Sequence, residues 1–501
     1  MKHLIILPIL VPLFMGAFLL MRPRLSARTA RGLSLLATAT LLPLALALLL
    51  LQRANGGQLE VYALGDWPAP FGIVLLLDRL AALMLATVAV LAAGAALYAC
   101  RGDDNRGPDF HALFQFQLLG INGAFLTGDL FNLFVFFEIL LIASYALLVH
   151  GAGPARVRAG LHYVVLNLVG SALFLIGIGL LYGLLGTLNM ADLGLRVANA
   201  DPAQAPLLAA AGFLLLVVFG LKGALLPLYF WLPSAYSAAS APVAALFAIM
   251  TKVGLYAIVR VFLLVFGAAA GPLAHYVLPW LWPLAAVTLA AGVFGALAAH
   301  HLKTLLGYLV VISVGMLLTG VALGSVAGLA ASLFYLVHST WIAGALFLLA
   351  DLIAQQRGAL GDTLGSGPSL THPRLLGGLF FLGAVSVAGL PPFPGFLGKV
   401  MLLQATGTAW PALIIWPVVL LGGLGMIIAL SRAGTTLFWR GRGAALDVRL
   451  DPIQLTATLG LLLGSPLLMA LAAPLHGYAL ETARQLLDVA PYFDIVRGVG
   501  P

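Results

Sequence analysis

The chain runs to 501 residues, 62% of them hydrophobic and only 8% charged, with a formal net charge of +8 at pH 7. Soluble proteins carry about 25% charged residues. Too few charges exist here to coat a water-soluble enzyme, a disordered chain or a nucleic-acid-binding domain, and the composition fits a large polytopic helical membrane protein.

A transmembrane helix needs about 20 apolar residues. The apolar runs and the loop signals between them predict about fourteen spans, near 3–21, 32–51, 71–99, 110–127, 129–149, 160–187, 206–230, 240–267, 276–299, 303–323, 328–350, 376–404, 411–437 and 453–474. The alternating polarity of a membrane β-barrel is missing. No Asp, Glu, Lys or Arg occurs between Arg260 and Lys303, or between Lys303 and Asp351. Each gap is long enough for two helices. Only Lys2 precedes the first apolar run, whereas Arg22, Arg24, Arg28 and Arg31 follow it. That order is wrong for a cleaved secretory signal, so a retained first helix is expected. The single cysteine, Cys100, excludes an internal disulfide and a thiolate metal cluster. No catalytic, cofactor-binding or metal-binding motif is found.

Basic residues in the loops set the orientation. One set of alternate loops holds Arg22, Arg24, Arg28, Arg31, Arg101, Arg106, Arg156, Arg158, Lys303, Arg357, Arg374, Arg440, Arg442 and Arg449. The opposite side, tails included, holds Lys2, Arg53, Arg196, Arg484 and Arg497. The first side is therefore expected in the cytoplasm and both termini outside. This bias, facing anionic lipid, accounts for the net charge without any nucleic acid. Trp67, Trp280, Trp282 and Trp410 fall near outward helix ends, as an interfacial belt does. The tail after about residue 475 reads as a short interfacial or docking segment.

The remaining basic residues, Arg79, Lys222, Lys252, Arg260, Lys399 and Arg432, fall inside predicted spans, as do Asp78 and Glu138. A charge at the bilayer centre costs about 2.5–3.5 kcal/mol on insertion scales. Such charges need pairing, hydration or a use. Glu138 and Lys252 lie near the middle of their spans, and Lys222 and Lys399 lie beside proline breaks. These four read as a transport path, with a static ion pair as the other reading. His338 lies in a long apolar span and suits proton relay; a plain hydrogen bond to a neighbour is its alternative. Asp78 and Arg79 are adjacent and point apart, which fits packing as well as function. Arg260 and Arg432 sit nearer helix ends, where long side chains snorkel. Asp129 is placed to cap its helix. His300 and His301, beside Lys303, sit at a cytoplasmic helix end. Asp129, His300, His301, Lys303, Arg260 and Arg432 remain accessory candidates.

Two spans carry internal breaks, at Gly220–Pro227 with Pro233 following, and at Gly389–Lys399. Proline removes a backbone donor and clashes with the preceding turn. Paired interruptions of this kind point to a transport site built on inverted repeats. The breaks lie in the seventh and twelfth spans. The spacing predicts N-terminal helices over 1–109, a five-helix unit over 110–267, an inverted second unit over 276–437, and a last helix with its tail over 438–501.

At these residues the chain resembles the antiporter-like, proton-pumping subunits shared by respiratory complex I and the Mrp (Mnh/Sha) multisubunit cation/proton antiporters. The motifs are Gly128–Glu138, Gly186–Asp192, Lys222–Pro233, Ala241–Gly254 and Gly389–Lys399. Phe131–Tyr145 together with Leu188-Asn189-Met190 is most similar to the D-type branch. The resemblance implies fourteen core helices and a central hydrophilic axis. Within it, Glu138 is the fifth-helix glutamate, Lys222 its seventh-helix partner, Lys252 the central lysine, His338 the eleventh-helix histidine and Lys399 the exit-side lysine. Many relatives place a lysine five residues after that histidine, where this chain has Ala343. No long lateral helix follows the fourteenth span, which argues against the A-type branch.

The expected function is proton translocation within a Na⁺ or other monovalent cation/proton antiporter of a bacterial cytoplasmic membrane. The A-type, C-type and small membrane subunits are its expected partners, and no cofactor is expected. A desolvated lysine exchanges its proton more readily than a hydrated one. The alternative is a pump subunit of a redox-driven complex, related to complex I or a membrane-bound hydrogenase. An acyl or sugar transferase is disfavoured, since no hydrophilic catalytic loop or nucleophile–base spacing occurs.

Overall fold

A computed structural model describes residues 2–67, 70–407, 410–441, 444–446 and 448–497, with Lys2 and Arg497 described by backbone alone. Arg442, one of the basic loop residues, lies outside the described residues. Eleven helices among the described residues are long and apolar enough to cross a membrane. Leu7–Met21 and Pro373–Ala388 are shorter apolar helices beside them.

Burial separates these helices. Every residue of the most apolar stretch of Ala241–Val265 is buried, as are 94% of that of Leu302–Ala322 and 89% of that of Val326–Gln355. The outer helices Ala27–Ala54, Pro154–Leu185 and Ala412–Trp439 bury 33–39%. The three interior helices carry Lys252, Ser313 and His338. The polar groups therefore sit on the elements furthest from lipid.

The third span begins later than its apolar run predicts. Val74–Leu77 is a strand, antiparallel to Glu60–Ala63, with Glu60 opposite Leu77 and Ala63 opposite Val74. The all-α expectation is corrected at this hairpin. Asp78 is extended, and its carboxylate accepts from the Ala81 amide at 2.8 Å. That N-cap starts the helix at Arg79. Asp78 and Arg79 thus stand at a helix entrance, not within a span.

Both proline-marked spans are broken. Ala205–Gly223 ends at Ala224, in the left-handed region at φ +61°, and Trp231–Ala238 resumes after it. Pro373–Ala388 ends at Gly389, φ +74°, and Pro394–Thr406 resumes. Freed backbone groups find partners, as membrane depth requires. Trp231 Nε1 donates to the Leu221 carbonyl at 3.0 Å, and Thr288 Oγ1 accepts from the Leu226 amide at 3.0 Å. The eighth span is also interrupted, between Ala241–Phe247 and Met250–Arg260. Tyr236 donates its hydroxyl to the Phe247 carbonyl at 2.5 Å. No proline marks this break internally.

Two junctions share one backbone pattern. The Leu130 amide donates to Leu188 (2.8 Å) and Met190 to Gly128 (2.9 Å), bridging Asp129 and Asn189. The Leu302 amide donates to Asp362 (2.8 Å) and Leu364 to His300 (2.7 Å), bridging His301 and Thr363. In addition, Met250–Arg260 and Ala412–Gly434 both run into five-residue π-helical turns, Val261–Val265 and Thr435–Trp439.

The tail docks on its own chain. Ala472–Leu487 buries Ala479, Thr482, Ala483 and Leu486. Gln485 accepts from the Arg79 amide at 3.0 Å, and Glu481 pairs with Arg79 at 2.6 Å.

Candidate functional site

Glu138, on Leu130–Val149, and Lys222, on Ala205–Gly223, are held by a third helix, Pro154–Leu185. Ser171 donates to the half-buried Glu138 carboxylate. Lys222 donates to Asn167 Oδ1 at 3.0 Å and lies 5.9 Å from the centre of the Phe137 ring. Asn167 and Ser171 are four residues apart, so they share one helix face. The two charges are therefore neighbours on adjoining turns, and no Glu138–Lys222 ion pair forms among the described residues. A polar amide and a hydroxyl separate them. Asn167 is fixed in turn by donating to the Tyr163 carbonyl at 2.8 Å.

Lys252 is fully buried, three residues past the break in its span. Its amine donates to Ser313 Oγ at 3.3 Å, and Ser313 donates to the Val310 carbonyl at 2.7 Å. No carboxylate pairs with it among the described residues. The lysine helices touch directly: a Cβ on Gly254 would lie 2.5 Å from the Gly223 nitrogen. A side chain there would push the Lys222 and Lys252 helices apart. A cavity of about 10 Å³ lies beside Lys252, lined by Tyr256, Ser332 and Leu336 among others, at the lower limit for one water.

His338 is 1% exposed, and among the described residues neither ring nitrogen has a partner meeting hydrogen-bond geometry. The Ser386 carbonyl faces its Nε2. Ser339 turns away, donating to the Leu336 carbonyl at 3.1 Å. Lys399 reaches back across the break of its own span and donates to the Ala388 carbonyl. Lys222 precedes its break and turns to Asn167 on a neighbouring helix, whereas Lys399 follows its own break and turns back to it.

The family described as NADH:quinone oxidoreductase/Mrp antiporter, transmembrane region, matches residues 127–425. The chain belongs to this family. It is 42% identical over 519 residues to the D component of a probable K⁺/H⁺ antiporter of Rhizobium meliloti (strain 1021), covering 97% of this chain and 96% of the relative. It is 40% identical over 442 residues to the D component of a Na⁺/H⁺ antiporter of Bacillus subtilis (strain 168), covering 88% and 87%. A chain in the structure of the Mrp complex from Dietzia sp. DQ12-45-1b superposes with a TM-score of 0.88 at 27% identity, over the whole of both chains. The protein is thus a multi-pass membrane member of the antiporter family, a component of a transporter and not an enzyme.

The accessory candidates of this family member fall in three places. Asp129 caps the Leu130–Val149 helix, accepting from the Asn132 amide at 2.8 Å. His300, His301, Lys303 and Arg432 gather at one end of the bundle. His301 Nδ1 lies 3.5 Å from Asp362, whose carboxylate accepts from the Lys303 amide at 3.0 Å. Lys303 Nζ lies 3.8 Å from Asp351, and Arg432 donates to the Ala299 carbonyl at 3.1 Å. Arg260 does not snorkel. It is 1% exposed and pairs bidentately with Asp78, at 2.6 and 2.7 Å. Tyr492 donates to Asp78 at 2.7 Å, and Arg260 donates to Tyr256 Oη at 2.8 Å.

A second polar cluster has no mark in the sequence. Asp104 takes a bidentate pair from Arg31 and a 3.1 Å hydrogen bond to His111, with the Cys100 thiol close by. Arg31 occupies both carboxylate oxygens, so these donors form a charge network. Next to it, Asp103 is buried, with Arg106 at 3.3 Å. Tyr98 and Gln355 donate to Asp351 at 2.9 Å each. Desolvation, reinforced by the charge of Asp351, pushes the Asp103 carboxyl up to about 6, against Arg106, Lys303 and Arg156. A carboxyl raised by folding binds its proton more tightly in the folded state. Its contribution is therefore most favourable below about pH 4 and is lost as pH rises through about 6. Asp103→Asn should stabilise the detergent-solubilised protein at pH 7–8 by on the order of 2–3 kcal/mol, with no gain near pH 4. Apparent melting temperatures of both proteins across this range check it. A constant difference at every pH would exclude the titration.

Proposed function

We propose that this chain is the D-type, proton-conducting subunit of a multisubunit monovalent cation/proton antiporter in a bacterial cytoplasmic membrane. Lys252 carries the reading. It is wholly buried on an interior helix with one hydroxyl partner. A lysine within the membrane with no opposite charge to pair with marks a proton or ion pathway by default. The route runs from the Glu138/Lys222 pair to Lys252, then His338, then Lys399. Asn167 and Ser171 hold Glu138 and Lys222 close without fusing them into a static pair. Changes in their separation then alter how firmly Lys222 keeps its proton, and release it toward Lys252.

The route lies within fourteen crossings and two inverted five-helix units. The matched backbone bridges at Asp129/Asn189 and His301/Thr363 support the repeat. So do the paired breaks after Ala224 and Gly389, and the paired π-turns at Val261–Val265 and Thr435–Trp439. An odd number of helices per unit inverts the second copy. The counted crossings comprise the eleven long helices with Leu7–Met21, Phe110–Leu126 and the broken twelfth span. The basic loops lie in the cytoplasm, facing anionic lipid, and both termini lie outside. The relatives name both K⁺ and Na⁺, and partners of the A-type, C-type and small membrane classes complete the assembly.

The test uses everted vesicles carrying the complete complex, acidified inside. Adding Na⁺, K⁺ or Li⁺ is expected to release the ΔpH in wild type, and Glu138→Ala is expected to remove that response with assembly intact. No cation response in wild type would turn the assignment to a redox-driven pump. A response that survives Glu138→Ala would reduce this chain to a scaffold.

A further inference from the structure

Two groups of the route converge on one helix end. Pro373–Ala388 stops at Gly389, whose amide donates to the Ser386 carbonyl at 3.2 Å while the Leu390 amide donates to Val385 at 3.1 Å. The Ala388 carbonyl, like other carbonyls at a helix end, is left to a side chain. The helix dipole adds about half a negative charge there. Lys399 arrives from the second half of the same span and donates to the Ala388 carbonyl. His338 arrives from Val326–Gln355, its Nε2 facing the Ser386 carbonyl. Among the described residues neither His338 nor Lys399 forms an ion pair. One partial negative charge therefore serves two groups that become cations, and two full positive charges there would repel.

The spacing is set by glycine. A Cβ on Gly395 would lie 2.3 Å from the Ser386 carbonyl oxygen and 2.8 Å from His338 Nε2. One turn on, a Cβ on Gly398 would lie 3.0 Å from Tyr335 Cβ. The two glycines give Pro394–Thr406 a flat face against Val326–Gln355; Gly395 meets the His338 ring nitrogen, whereas Gly398 meets carbon atoms of Tyr335. Ser386 is clamped from behind, because its hydroxyl bonds Ser465 of the last span.

We propose that His338 and Lys399 share one proton at the carboxyl end of Pro373–Ala388, and that Gly395 is the positioning residue that sets their approach. This rests on the proton route proposed above. In the transfer, an N–H bond of the His338 imidazolium breaks and an Nζ–H bond forms on neutral Lys399. The positive charge moves with the proton and stays beside the same carbonyls.

The experiment measures cation-triggered proton release against pH in vesicles of the complete complex. Gly395→Ala is expected to slow release about tenfold, since small misplacements at reacting groups are costly, and to shift the pH profile. Gly398→Ala, on the same packing face, is expected to leave the profile in place. Adding Gly395→Ala to His338→Gln should cost nothing further, because the two act as a unit. Additive losses, or an unshifted profile in Gly395→Ala, would overturn the proposal. A second readout does not depend on Gly395→Ala assembling. In ¹⁵N-histidine spectra, Lys399→Met should raise the protonated fraction of His338 at fixed pH, and an unchanged fraction would overturn the sharing. Glu138→Ala run alongside separates the two ideas. Transport surviving that change sinks the route, whereas its loss together with a wild-type Gly395→Ala sinks only the shared proton.

Discussion

Lys252→Met should yield a complex that assembles at least as well as wild type and transports at least about 100-fold more slowly. Methionine fills nearly the volume of the lysine stem and needs no counter-charge. The wild-type amine has one hydroxyl at 3.3 Å and is fully buried. Holding a charge in such a place costs several kcal/mol, and the substitution removes that cost. Stability and activity should therefore move in opposite directions, a pattern that general damage to packing does not produce. The checks are the yield and melting temperature of the purified complex, and ΔpH release in everted vesicles. Normal release by Lys252→Met would take Lys252 off the route.

Charges and prolines make much of this molecule readable in one dimension. Glu138, Lys222, Lys252 and Lys399 stand out because apolar spans surround them, and Pro227, Pro391 and Pro392 announce two of the breaks. The break before Met250 has no such mark. It is stabilised by Tyr236 from an earlier helix, and tertiary hydrogen bonds leave no local pattern. The Val74–Leu77 strand reads as helix in the sequence because its apolar run continues into Arg79–Ala99. Only the cap at Asp78 separates them. The partners of the proposed route are equally silent. Asn167 and Ser171 look like ordinary polar residues of a membrane helix until Lys222 and Glu138 reach them. The Asp78–Arg260–Tyr492 cluster joins residues 182 and 414 positions apart. No window along the chain spans that distance.

That cluster carries the largest expected effect on stability. Asp78→Leu or Arg260→Met alone should destabilise the protein by about 3–5 kcal/mol, because each leaves a buried charge without its partner. The two groups sit at 0% and 1% exposure and pair bidentately, with the Ala81 amide and Tyr492 also donating to Asp78 and Arg260 also donating to Tyr256. Combining Asp78→Leu and Arg260→Met with Tyr492→Phe removes the charges and the orphaned hydroxyl together. Well-packed apolar replacements of buried ion pairs are often neutral or stabilising, so the triple variant should recover most of the loss. Complex yield and melting temperature read the first effect, and vesicle transport reads the second. Wild-type transport by the triple variant is expected, because Arg260 ties the third span and the tail to the eighth span instead of carrying protons. A triple variant that assembles normally but does not transport would place Arg260 on the route beside Lys252, eight residues away on the same helix. The two outcomes separate a charge that holds the bundle together from one that works within it.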